Sequence, residues 1–198
     1  MNRLLPAILA FLVAGNVSLK GSETSATIVG PEPADYVWQR AETLPNLEGR
    51  LEEPMWEAAT WTDLRHVVGN AAGEAPAARA AIIWDDVYLY VAFDVDALQI
   101  VAMSSTRDDD LQSEDCVALH LDPQGDGNSS SLAISAKGTL LDSNGALKSE
   151  GAIGGGNTMW NATSADFHVK PRDGGWQAEG RLRIDELDNG QPYPTEAR

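Results

Sequence analysis

Cysteine is almost missing from this chain: Cys116 is the single one in 198 residues. One thiol excludes an intrachain disulfide and any cysteine-rich zinc site, so stability has to come from a packed core or a bound ion. Positive charge is scarce too. Fourteen Lys and Arg stand against 30 Asp and Glu, a net charge of −16. Such a balance repels nucleic acid phosphates and anionic lipid, and no local stretch is basic enough to reverse it. The three histidines, His66, His120 and His168, lie far apart and show no metal-ligand spacing. No apolar run approaches the ~20 residues that a membrane-crossing helix needs. Helical periodicity and internal repeats are lacking as well. What remains is a 43% hydrophobic content, enough for a core.

The N-terminus bears on the compartment. Met1-Asn2-Arg3 is a short cationic start, Leu4 to Ala14 is apolar throughout, and Gly15-Asn16-Val17-Ser18 supplies a small-residue exit. This three-part pattern is that of a secretory signal, with residues 1–20 as the signal and cleavage after Gly15 or a few residues later. A secreted or periplasmic protein is expected. Residues 21–35, rich in Ser, Thr, Gly and Pro, read as a linker or flexible arm. Residues 36–198 form one domain by the usual size prior.

Within that domain the hydrophobic pattern has the period of strands. Ala77–Trp84 and Val87–Val95 are β-branched and aromatic runs around Asp85-Asp86, the clearest hairpin in the chain. Cys116–Asp122 alternates with period two, Val117, Leu119 and Leu121 on one face and Cys116, Ala118 and His120 on the other. Both faces are fairly apolar, which predicts a central strand. Shorter strands are expected at 131–136, 139–142, 167–171 and 176–184, with a helical turn around Pro54–Ala59. In the last strand, Gln177, Glu179, Arg181 and Arg183 fall on the polar side. Many short strands with frequent turn signals predict an all-β antiparallel β-sandwich, immunoglobulin- or jelly-roll-like.

Four segments in order carry a family resemblance. They are Gly49…Glu53…Trp56; Trp84-Asp85-Asp86 with Tyr88-Leu89-Tyr90-Val91; Glu114-Asp115 leading through Val117–Asp122 to Pro123; and Gly174-Gly175-Trp176 with Glu179. Together they resemble the family 9 carbohydrate-binding modules, over about 43–187. The resemblance implies a non-catalytic sandwich that binds polysaccharide or oligosaccharide ends, often beside a glycoside hydrolase such as a xylanase. It also implies two tryptophans that sandwich the terminal sugar, and calcium in some members. Here Asp110–Ser113 fills the first tryptophan's place, Ala118 stands where the family has a Glu, and the strands that carry the second tryptophan are missing from the C-terminus. The core role is expected for Trp56, Trp84, Tyr88, Tyr90 and Trp176.

Sugar recognition needs flat aromatic surface with a few polar groups that fix orientation. Trp160, in the Gly-rich passage 154–161, is the candidate for stacking or else a loop anchor; Asn157, Asn161 and Arg107 would supply hydrogen bonds. Asp122, Asp126 and Asn128 bring oxygens into one Gly-rich turn, which suits part of a structural calcium site or a plain turn. Two further alternatives stand beside sugar binding. One is a structural or interaction sandwich that has lost it. The other is a haem-binding electron-transfer domain of similar fold with Met103 and His120 as ligands. Catalysis is not expected, since Glu114 and Asp115 are adjacent and cannot flank a glycosidic bond.

Overall fold

Alternating apolar residues and turn punctuation generate eleven strands in the computed structural model, which describes residues 8–14, 39–64, 67–68, 77–122, 127–146 and 157–188, the side chains of 8–14, 67–68 and 188 excepted. In chain order these are β1 (Ile8–Ala14), β2 (Gln39–Arg40), the short helix α1 (Pro54–Ala58), β3 (Trp61–Leu64), β4 (Val67–Val68) and β5 (Ala78–Trp84). Then come β6 (Tyr88–Asp96), β7 (Cys116–Asp122), β8 (Asn128–Ser135), β9 (Leu140–Ala146), β10 (Asp166–Arg172) and β11 (Gly175–Arg183). A 3-10 turn, Ile184–Asp188, follows. One sheet has the order β4-β1-β7-β8-β9; the other is β10-β11-β6-β5-β2, with β3 also on β5.

The two sheets face each other across the main core. Ile82, Leu89, Val91, Phe93, Trp176 and Leu182 meet Val117, Leu119, Leu121, Leu132 and Ile134 there. Burying each such side chain contributes roughly 1.5–3 kcal/mol, so this layer dominates stability. Both sheets also carry a covered outer face. Trp56 from α1 packs on Ala81, Ile83, Tyr90 and Ala92 of β5 and β6. On the opposite side Leu111, in the connection before β7, packs on Cys116, Ala118, Ala133 and Leu141. All seven residues of β7 are therefore buried, as expected for a central strand.

The motif residues explain how the outer cover is fixed. Glu179 on β11 is fully buried on the face where alternation placed polar side chains. Its Oε1 accepts the backbone N–H groups of Glu48, Gly49 and Arg50 at 2.9, 2.8 and 3.1 Å, and its Oε2 accepts Trp56 Nε1–H at 2.7 Å. The first and last motifs are thus one clasp. Gly49 is required twice over, by its φ of 82° and by the backbone of Val169, 3.0 Å from where a Cβ would stand. Asp85 closes the hairpin in its own way. Its Oδ1 accepts the N–H groups of Val87 and Tyr88, each at 2.7 Å, and its Oδ2 accepts the Tyr90 hydroxyl at 2.7 Å. Burial alone would raise the Asp85 carboxyl; these hydrogen bonds outweigh it and hold the group below its usual range.

Three features were not expected from the sequence pattern. Strand β8 starts at Asn128 and β9 runs to Ala146, because Asn-Ser-Ser-Ser and Asp-Ser-Asn-Gly pair by backbone without any apolar alternation. Trp61 lies in β3, half-buried beneath the Arg79 guanidinium at 4.5 Å. The third is the apolar N-terminal run, whose backbone forms β1 and pairs antiparallel with β7 from Ile8↔Asp122 to Ala14↔Cys116. The linker 21–35, Trp38 and the Gly-rich residues 151–156 lie outside the described residues.

Candidate functional site

Strand β9 ends its sheet, and its outer edge is covered by two segments that a single carboxylate joins. One is the turn around Arg107 and Asp108. Asp108 N–H donates to the Leu140 carbonyl at 2.9 Å, and Asp108 has φ 68°, a left-handed conformation that few non-glycine residues adopt. The other is the segment 157–162, which begins with Asn144 and Asn157 exchanging backbone hydrogen bonds at 3.1 and 2.6 Å. Asp142, fully buried on β9, lies between them. Its Oδ2 accepts Arg107 Nη2–H at 2.8 Å and Ala162 N–H at 2.5 Å, while the same Nη2 donates to the Ala162 carbonyl at 3.2 Å. Burial pushes the Asp142 carboxyl above the usual carboxylate range, and the neighbouring Asp108 carboxylate pushes the same way against Ala162 and Arg107.

The residues just after the segment are held as firmly. Glu186, on the 3-10 turn, accepts the Thr163 hydroxyl at 2.6 Å, the Ser164 N–H at 3.0 Å and the Ser164 hydroxyl at 2.8 Å. Between the Asn144–Asn157 bridge and the Asp142–Ala162 bond lie three of the groups that the sequence singled out, Asn157, Trp160 and Asn161. Trp160 is half-buried against the main core, so its indole is both a loop anchor and a partly open face. Asn157 and Asn161 flank it, exposed, their side chains in local bonds: Asn157 Oδ1 accepts Met159 N–H at 3.0 Å, and Asn161 Nδ2–H donates to the Met159 carbonyl at 3.3 Å. The Arg107 side chain is 38% exposed. Arg107 is joined to the segment of the other three through the Ala162 carbonyl, one residue after Asn161. An aromatic face, two amides and a guanidinium are the kinds of group that orient a hydroxyl-rich ligand.

Sequence reasoning missed Asp142 and Glu186, which hold this surface without forming its outer face. An acidic residue directly after Leu140-Leu141 was the available signal, since a carboxylate in a buried strand needs donors.

The other candidates fall elsewhere. Asp122 is buried and its Oδ2 accepts Gly127 N–H at 2.8 Å, Asn128 is exposed at the start of β8, and Asp126 lies outside the described residues. Among the described residues no group of three His, Cys, Asp or Glu is placed to hold a metal ion. His120 is buried on β7 with Nδ1 2.8 Å from Ser131 Oγ, whereas Met103 is exposed on the connection before β7. Glu114 and Asp115 fix that connection, accepting the N–H groups of Ser104 and Val101, each at 2.7 Å.

No protein-family model and no curated protein matches the chain. Among solved structures it is similar to a Bacteroides uniformis protein for which carbohydrate binding has been proposed. The identity is 13% and the TM-score 0.58, over 75% of this chain and 72% of that one. It is also similar to a family 9 carbohydrate-binding module from Caldicellulosiruptor kristjanssonii, solved with cellotriose (17% identity, TM-score 0.54, 76% of this chain and 68% of that one). The same module solved with glucose matches at 17% identity and TM-score 0.54, over 75% and 71%. At such identities the likeness establishes the fold, a β-sandwich of the family 9 type.

Proposed function

We propose that this sandwich is a non-catalytic carbohydrate-binding module that holds an oligosaccharide or polysaccharide end on the surface made by Trp160, Asn157, Asn161 and Arg107. One observation carries the reading: the Asp142 carboxylate draws Arg107 and the 157–162 segment together, so a stacking face and hydroxyl-directed donors stand preorganised at one sheet edge. The fold shared with modules solved with cellotriose and glucose supports β-linked glucans as the first ligands to try. Its place is beside a glycoside hydrolase outside the cytoplasm, which follows from the leader-like N-terminus and the motif resemblance.

The test is titration with cello- and xylo-oligosaccharides, followed by calorimetry and tryptophan fluorescence. Saturable binding is expected, lost in Trp160→Ala and weakened in Arg107→Ala, with the unfolding midpoint of Trp160→Ala measured alongside to separate binding from folding. No response at millimolar ligand in the parent chain would sink the sugar reading and favour the interaction-domain alternative.

A further inference from the structure

We propose that the edge of β7 opposite β8 is a strand-acceptor site, which takes an extended, uncharged, apolar segment from another polypeptide once the N-terminal run has been removed. The proposal rests on the leader reading of residues 1–20 and is independent of the sugar surface.

Strand β7 is built as an interior strand. Every one of its residues is buried, and β8 satisfies one edge along Cys116–Leu121. The other edge pairs with β1 at all seven positions. Yet β1 is Ile8–Ala14, the heart of the run whose composition is that of a secretory leader. Processing after Gly15 would strip seven backbone partners from a strand that has no exposed face. β4, two residues long, pairs with β1 and not with β7 among the described strands. An unpaired row of N–H and C=O groups beside a buried strand is a template for strand addition.

The register states what the occupant must be. Leu9, Phe11 and Val13 stand opposite Leu121, Leu119 and Val117, the β7 residues of the main core, so large apolar residues belong at these alternate positions. Ala10, Leu12 and Ala14 stand opposite His120, Ala118 and Cys116, all buried, so charge is excluded on that side too. A second copy is a poor donor. Pairing β7 with its own counterpart about Leu119 places Asp122 opposite Cys116 at both ends, between two strongly acidic chains, the full sequence carrying a net −16.

The experiment starts from the full-length gene expressed in an exporting bacterium, and the mass of the exported product defines its N-terminus. A synthetic peptide carrying Ile-Leu-Ala-Phe-Leu-Val-Ala, with lysines outside the seven positions for solubility, is added to that product and to the unprocessed precursor. The expected result is a one-to-one complex with the processed product alone, with hydrogen exchange slowed at Cys116–Asp122. A peptide with Phe11→Asp should bind at least about tenfold more weakly, since it buries a charge. An exported product that keeps residues 8–14 overturns the leader reading and the proposal with it. A processed product whose β7 amides are already protected, and which ignores the peptide, overturns the acceptor site alone. Self-association that protects β7 overturns it in favour of a second copy.

Discussion

Glu179 shows how much one side chain can decide. It is a carboxylate at zero exposure whose two oxygens take three backbone N–H groups and one indole N–H, and so it fixes 48–56 across the outer face of β11. Removing an acceptor strands its donors, and stranded buried donors cost more than the bond itself contributed. Glu179→Ala is expected to lower stability by about 3–5 kcal/mol, and Glu179→Gln by less, because one oxygen remains to accept. Urea denaturation followed by tryptophan fluorescence checks both; equal losses would show that charge rather than donor count matters. His120 acts through protons. Burial pulls its imidazole down to about 4, against an ordinary 6.5, with Ser131 as its neighbour. The unfolded chain therefore takes up a proton that the folded chain refuses between those two values. Stability from this group is complete above pH 6.5 and is lost as pH falls toward 4, by up to roughly 3 kcal/mol. Denaturation curves across this window should steepen the loss on acidification in the parent chain and flatten it in His120→Gln. A parent curve no steeper than the variant's removes His120 from the account.

At the scale of elements, the site is a clasp between one strand and two loops. Asp142 on β9 holds the Arg107 turn and Ala162 at the end of the 157–162 segment at once, while Glu186 holds Thr163 and Ser164 just beyond it. Arg107 can turn to water when its partner goes, so the loss of the pair costs less than a fully buried one. Asp142→Ala should lower global stability by about 1–3 kcal/mol. The larger effect is local: faster amide exchange at 157–162 and oligosaccharide affinity reduced several-fold in calorimetry. Unchanged exchange there would mean that Trp160, packed on the core, holds the segment by itself. This organisation also marks what the sequence could reveal. The 78–96 hairpin and β7 were legible because their apolar alternation reports burial directly. Trp160, Asn157 and Asn161 were singled out because binding residues tend to collect in loops, where an aromatic has few core neighbours. Asp142 and Glu179 were not legible as buried groups, because alternation assigns polar residues to solvent and only three-dimensional donors reverse that. The run at Ile8–Ala14 has a different difficulty: a leader and a strand between β4 and β7 ask for the same uncharged apolar residues.

For the whole molecule, the excess of negative charge competes with a few local ion pairs. Asp94 sits between Arg79 at 2.9 Å and Arg172 at 2.7 Å, and Arg172 reaches Asp96 as well. Burial would raise the Asp94 carboxyl, but the two guanidinium groups hold it below its usual range. Pairs with partly exposed partners contribute about 0–1 kcal/mol each and weaken with salt. The net −16 leaves as many carboxylates without a cation of their own, and their mutual repulsion is present only while the chain is compact. That repulsion acts over distances comparable with the Debye length, ~10 Å near 0.1 M salt and ~3 Å near 1 M, so it is screened more completely than contacts under 3 Å. Repulsion should therefore decide the sign. Raising sodium chloride from ~0.05 to ~0.5 M at neutral pH is expected to raise the unfolding midpoint by a few degrees. A fall instead would mean that the Arg79–Asp94–Arg172 network outweighs the field of the whole molecule, and Asp94→Asn should then turn the fall into a rise.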